Sequence, residues 1–99
     1  MPLKMYVIAR AQLNTVYQCV QGGHALAEFT LNNTDLALEW DNQYLIYLNT
    51  YDLDGIMRRL KDNSISFSSF EEPDMGNCIT AIACYCDGSL FKDLKLIGL

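Results

Sequence analysis

The chain holds a single histidine, His24, in the stretch Gln21-Gly-Gly-His24-Ala-Leu-Ala-Glu28, downstream of an apolar run Tyr6-Val-Ile-Ala that ends at Arg10. An imidazole moves protons near neutral pH and a guanidinium holds a carboxylate or a developing oxyanion, so the pair suits hydrolysis of an ester or amide by activated water. Gln21 and His24 are three apart and share one face of a helix. Further on, the loop Glu71-Glu-Pro-Asp-Met-Gly-Asn77 supplies Glu71, Asp74 and Asn77, and Thr80 follows it. In the hydrolytic scheme His24 is the base, oriented by Glu28 or by Glu71 or Asp74 across a crevice. Arg10 and the Asn77 amide hold the carbonyl oxygen, Thr80 positions the water, and Gln21 contacts the substrate. The plainer reading makes His24 a structural residue bonded to Glu28 one turn on. Cys19 and His24, five apart, point about 140° apart on a helix, which argues against a nucleophilic pair. Glu71, Glu72 and Asp74 do not make up a complete metal shell, since Pro73 interrupts them, and a solvated acidic loop is the better reading. No phosphate-loop or dinucleotide glycine pattern occurs, and neither a metal nor a cofactor is expected.

Those residues must be positioned by the elements around them. Leu3 to Ala9 is nearly continuous in apolar, β-branched and aromatic residues, as a central strand covered on both faces should be. Asn14 or Thr15 caps a helix running to about Leu31, in which Val16, Cys19, Val20, Gly23, Leu26, Ala27 and Thr30 recur at helical spacing and predict the buried stripe. Leu36 to Trp40 reads as a short, partly ordered connector and Tyr44 to Leu48 as a second strand. Asp52 caps a helix over Leu53–Lys61 with Leu53, Ile56, Met57 and Leu60 inward. Ile65, Phe67 and Ser69 alternate as a third strand, paired in a hairpin with a fourth from Ile79 to Tyr85. Ser89 caps a short helix through Leu94, and Lys95 to Leu99 forms a packed tail. The order predicts one small α/β domain over residues 1–99, with a mixed sheet whose fourth strand runs antiparallel to the rest. Arg10, His24 and the Glu71–Asn77 loop are then expected to meet at one rim, where open α/β sheets bind ligands.

Composition narrows the function classes. Ninety-nine residues, 51% hydrophobic, match the size of one core. No apolar stretch approaches the roughly 20 residues of a membrane helix, and no basic-then-apolar leader precedes Tyr6, so a cytoplasmic protein without a membrane partner is expected. The four cysteines then read as reduced thiols. The net charge of −5 disfavours tRNA or any partner held by broad phosphate neutralisation. Arg58, Arg59 and Lys61 form the only cationic cluster, and its proximity to His24 would favour an enzyme on nucleic acid.

Three segments carry a resemblance. Val7-Ile-Ala-Arg10, Gln21-x-x-His24-Ala25 and Gly76-Asn-Cys-Ile-Thr80-Ala-Ile-Ala are similar to the type 2 peptidyl-tRNA hydrolases. In that family an arginine ends strand one, Gln-x-x-His-Ala lies in helix one and a threonine begins strand four, positions matched by Arg10, Gln21, His24, Ala25 and Thr80. The resemblance implies a three-layer α/β/α domain with a four-stranded sheet in the order 2-1-4-3, and cleavage of the ester between peptide and tRNA. The family's lysines between strand one and helix one are replaced by Gln12-Leu-Asn-Thr-Val-Tyr17, and its loop aspartate by Glu71 or Glu72. The alternative function is a non-enzymatic module that keeps the fold and binds a small ligand or a protein. A third reading is a homodimer made through a sheet edge or an apolar helix face.

Overall fold

A computed structural model of the chain describes residues 2–99. The elements are β1 (Lys4–Arg10), α1 (Thr15–Asn32), α2 (Thr34–Trp40), β2 (Leu45–Thr50), α3 (Leu53–Asp62), β3 (Phe67–Glu72), β4 (Cys78–Cys86) and β5 (Lys95–Leu96), with 3-10 turns at Pro73–Met75 and Ser89–Phe91. They form a mixed α/β domain around one five-stranded sheet in the order β3-β4-β1-β2-β5. β1 and β2 are parallel, with Val7 beside Tyr47, while β4 runs antiparallel to both β1 and β3. The expected sheet had four strands. The fifth arises because Leu96 and Lys95 pair antiparallel with Leu48 and Asn49, covering the edge of β2 where only a packed tail was expected.

Alternation along β1 explains the layering. Met5, Val7 and Ala9 face one side and pack with Ala25 and Phe29 of α1 and Trp40 of α2. Tyr6 and Ile8 face the other and pack with Leu53, Ile56 and Leu60 of α3 and with Phe91. Two of the three predicted caps form, as Asn14 accepts from Tyr17 N at 2.8 Å and Asp52 from Gly55 N at 3.0 Å, whereas Ser89 lies within its turn, which Gly88 precedes without a side-chain cap. The connector expected over Leu36–Trp40 is a full helix, α2, because Trp40 buries its ring and donates Nε1–H to Tyr44 O at 2.9 Å. The short helix expected from Ser89 to Leu94 is a single 3-10 turn, stopped by Lys95 entering the sheet.

The buried face of α1 is not the one expected. Its sheet-facing residues are Gln18, Gln21, Gly22, Ala25 and Phe29. Of the stripe predicted to be buried, Leu26 packs on the core, while Val16, Cys19, Val20, Gly23 and Ala27 are exposed. Gly22 is what permits the close approach: a Cβ there would lie 2.7 Å from Val7 Cγ1 and 2.9 Å from Tyr47 Cε2. Hydrophobic periodicity picked the wrong face because the strand ends beneath α1 carry polar groups, Thr80, Glu72 and Asn49, that the glutamines bond.

Candidate functional site

The strand ends that form the rim are those of β1 at Arg10, β2 at Thr50 and β3 at Glu72, with the start of β4 at Cys78. A β-bulge shapes it. Phe70 pairs with Ala81 but Glu71 pairs with Ile79, so Thr80 is the extra residue on β4. Strict alternation would put Thr80 on the Ile82 side, toward α3. The bulge turns it to α1, where its hydroxyl donates to Gln21 Oε1 at 2.7 Å, and sends Ile79 to the α3 side instead.

Gln21 passes the polarity onward. Its Nε2 donates to Glu72 Oε2 at 2.9 Å, and Glu72 Oε1 accepts from Asp74 N at 3.2 Å. Thr80 is 0% and Gln21 1% exposed, so this relay runs from the interior to a partly exposed carboxylate. Among the described residues no buried side-chain nitrogen or oxygen lacks a partner. Beside the relay, the exposed His24 ring lies flat on Phe70, centroids 4.4 Å apart at 14°. Gln21 and His24 are three apart on α1, and Glu72 and Phe70 two apart on β3, so the two contacts are neighbouring rungs between helix and strand. Stacking on Phe70, rather than a bond to Glu28, sets the orientation of the imidazole.

The remaining predicted residues divide across the sheet. Arg10 shares the Tyr6 and Ile8 face, away from His24; its Nε donates to Ile79 O and its Nη2 lies 3.5 Å from Asp54 Oδ1 at the start of α3. Asn77 is left-handed at φ 60°, and its N–H is used by Glu72 O at 3.0 Å. Asp74 is exposed and meets the relay through its backbone; Glu71 is exposed and alternates away from Glu72. The basic cluster does not approach His24. It belongs to α3, on the opposite layer, where Arg59 binds Asp93 at 2.8 and 2.9 Å.

Residues outside the predicted set complete the rim. Gln18, 5% exposed, donates to Leu13 O at 2.6 Å and accepts from Asn49 Nδ2 at 3.0 Å, so the two glutamines of α1 straddle β1. Next to Gln18 is a cavity of about 570 Å³ lined by Leu13, Asn14, Gln18, Asn49, Tyr51 and Lys95, among others. Spacing offered a signal for Gln18, three before Gln21 on the same face, but its polarity steered it outward. Glu72 was separable from Glu71 only through the register of β3. Among the described residues no group of three or more His, Cys, Asp and Glu is arranged to hold a metal.

The four thiols are free. Away from the rim, Cys84 and Cys86 lie on one face of β4 with Sγ atoms 4.0 Å apart. The contact and burial push the Cys84 thiol up, and the same contact holds Cys86 down. None of the described helices is long and apolar enough to cross a membrane.

No protein-family profile and no curated protein matches the sequence. The structure is similar to that of a protein of unknown function from Agrobacterium tumefaciens strain C58, with a TM-score of 0.72 over 97% of this chain and 98% of that one at 14% identity. At that identity the likeness establishes a shared architecture across the whole domain.

Proposed function

We propose that this rim hydrolyses an ester, in the manner of the type 2 peptidyl-tRNA hydrolases that the sequence resembles. The observation that carries the reading is the Thr80–Gln21–Glu72 relay: Thr80 and Gln21, both family-matching positions, bond directly at 2.7 Å, and a carboxylate from the strand-three end joins them. On this reading Glu72, rather than Glu71, replaces that family's loop aspartate, because it is the one that Gln21 holds. Held by Gln21 and the Asp74 N–H, the carboxylate keeps lone pairs toward the rim for a water. His24, one rung away, takes the proton as that water attacks the carbonyl carbon and returns it to the leaving alcohol. Gln21 and Thr80 are positioning residues, since the Thr80 hydroxyl is committed to Gln21. Arg10 is another: through Ile79 it anchors the start of β4, the strand that carries Thr80.

The test is hydrolysis of a blocked aminoacyl-tRNA at low salt by the wild type, His24→Ala and Glu72→Gln. Turnover lost by about 10²-fold or more in both variants, with folding intact, is expected. Absence of turnover by the wild type refutes the proposal. A second reading, a non-catalytic module for a small ligand, is favoured by the pairing of Arg10 with Asp54 and by the cavity beside Lys95. Under that reading tRNA neither reacts nor binds, and small acids or amides stabilise the wild type more than Asn49→Leu.

A further inference from the structure

Two thiols converge at the end of β4 opposite the rim, on the face of the sheet that α3 covers. Cys84 and Cys86 are two apart on the strand and point to the same side. Two steps of strand rise separate their Cα atoms by about 6.8 Å. Their sulfurs nevertheless lie 4.0 Å apart, so the side chains lean toward one another. Both are unpaired as disulfides and sit among Tyr6, Ile56, Leu60 and Phe91, with Cys84 0% and Cys86 6% exposed. β4 is held in register on both sides, with Tyr6 of β1 and Phe67 of β3 flanking Cys84, so its backbone cannot move without breaking a ladder. Access comes from the Cys86 end, which lines a cavity of about 340 Å³ with Ile65, Asp87 and Leu90.

We infer that Cys84 and Cys86 bind one monovalent copper ion between them. Thiolates are soft ligands that select Cu(I), whereas hard cations require shells of oxygen donors that this apolar wall lacks. Cu(I) accepts two opposed thiolates at about 2.2 Å, slightly closer than the ~2.3 Å of zinc, so its two bonds span up to about 4.4 Å. Sulfurs at 4.0 Å need to open by only about 0.4 Å, or stay in place around an S–Cu–S angle of about 130°. A disulfide would have to close the same gap to about 2.0 Å, with Cα atoms already at the upper limit of its ~4.4–6.8 Å range. Structural zinc takes four ligands, and among the described residues no group of three or more His, Cys, Asp and Glu is arranged to supply them. On binding, each thiol gives its proton to water and no electron moves, which leaves the site with one negative charge. The Gly88 N–H favours that charge on Cys86, while Asp87 beside it opposes it. The site lies in the other layer from His24 and does not rest on the hydrolytic reading.

The probe is Cu(I) supplied anaerobically as its coloured bicinchoninate complex to the full chain carrying Cys19→Ser and Cys78→Ser, which removes the two thiols outside the pair. One copper per chain is expected to leave the complex, and further change of Cys84→Ser or Cys86→Ser is expected to abolish the uptake. Copper K-edge absorption is expected to show two sulfur neighbours. Cu(I) is expected to raise the melting temperature, whereas Zn(II) leaves it unchanged. Cys86→Ser, at the less buried position, carries the test should circular dichroism show Cys84→Ser unfolded, and the absorption edge needs neither variant. A chain that takes no copper from bicinchoninate, or takes as much with either serine in place, overturns the inference. Three or more ligands at the copper edge, or zinc bound as well as copper, overturn it equally. So does a Cys84–Cys86 disulfide that forms in air on a chain that takes up no copper, which would make the two thiols a redox pair.

Discussion

Thr80→Val is the most direct probe of the rim, because it removes one oxygen from the relay and little volume. The hydroxyl it deletes is the only hydrogen-bond donor to Gln21 Oε1 among the described residues, at 2.7 Å, and both residues are buried to within 1% of completely. Water cannot replace the lost donor without a cavity, so the amide oxygen is left unsatisfied at a cost of about 1–3 kcal/mol. Gln21 Nε2 keeps Glu72, so the penalty stops there rather than spreading along the relay. For a chain of this size the loss corresponds to a melting temperature lower by roughly 4–8 °C per kcal/mol. Urea unfolding followed by circular dichroism reads it, with an unchanged denaturant slope showing that only stability has moved. The double variant Thr80→Val/Gln21→Leu removes both partners and is expected to cost less than the two single changes added together, by about 0.5–3 kcal/mol. A Thr80→Val variant within about 0.5 kcal/mol of the wild type would refute the relay.

The adjacent glycines of α1 should respond in opposite directions: Gly23→Ala is expected to stabilise the fold by about 0.5–1 kcal/mol, as a helix propensity gain into open space. Gly22→Ala should destabilise it by about 1–3 kcal/mol through the clash with Val7 and Tyr47, and thermal melts separate the two. Arg59 holds the Asp93 carboxyl below its usual range, so the pair stabilises the fold above about pH 4 and the contribution is lost as pH falls through the depressed value. Asp93→Asn is therefore expected to narrow the difference in melting temperature between pH 6 and acid, by a small amount that added salt reduces further. Cys19 is exposed while Cys84 and Cys86 are buried, so a maleimide followed by mass spectrometry should label Cys19 first and reach the β4 pair only on unfolding.

Much of the framework was already determined by local sequence. The apolar run of β1, the Asn14 and Asp52 caps, the Leu53-Ile56-Leu60 stripe of α3 and the antiparallel β3–β4 hairpin each express a preference readable within one short segment. The residue types at the rim were equally legible, because a lone histidine, a strand-ending arginine and an acidic loop stand out in any chain. Tertiary structure decided which of them meet. One extra residue in β4 moved Thr80 to the α1 side, the register of β3 chose Glu72 over Glu71, and strand alternation sent Arg10 to the opposite layer toward Asp54. It also inverted α1: buried polar atoms at the strand ends drew Gln18 and Gln21 inward and left Val16, Val20 and Leu31 outside. Periodicity counts apolar side chains, but a buried hydrogen-bond partner exists only once distant strands have come together.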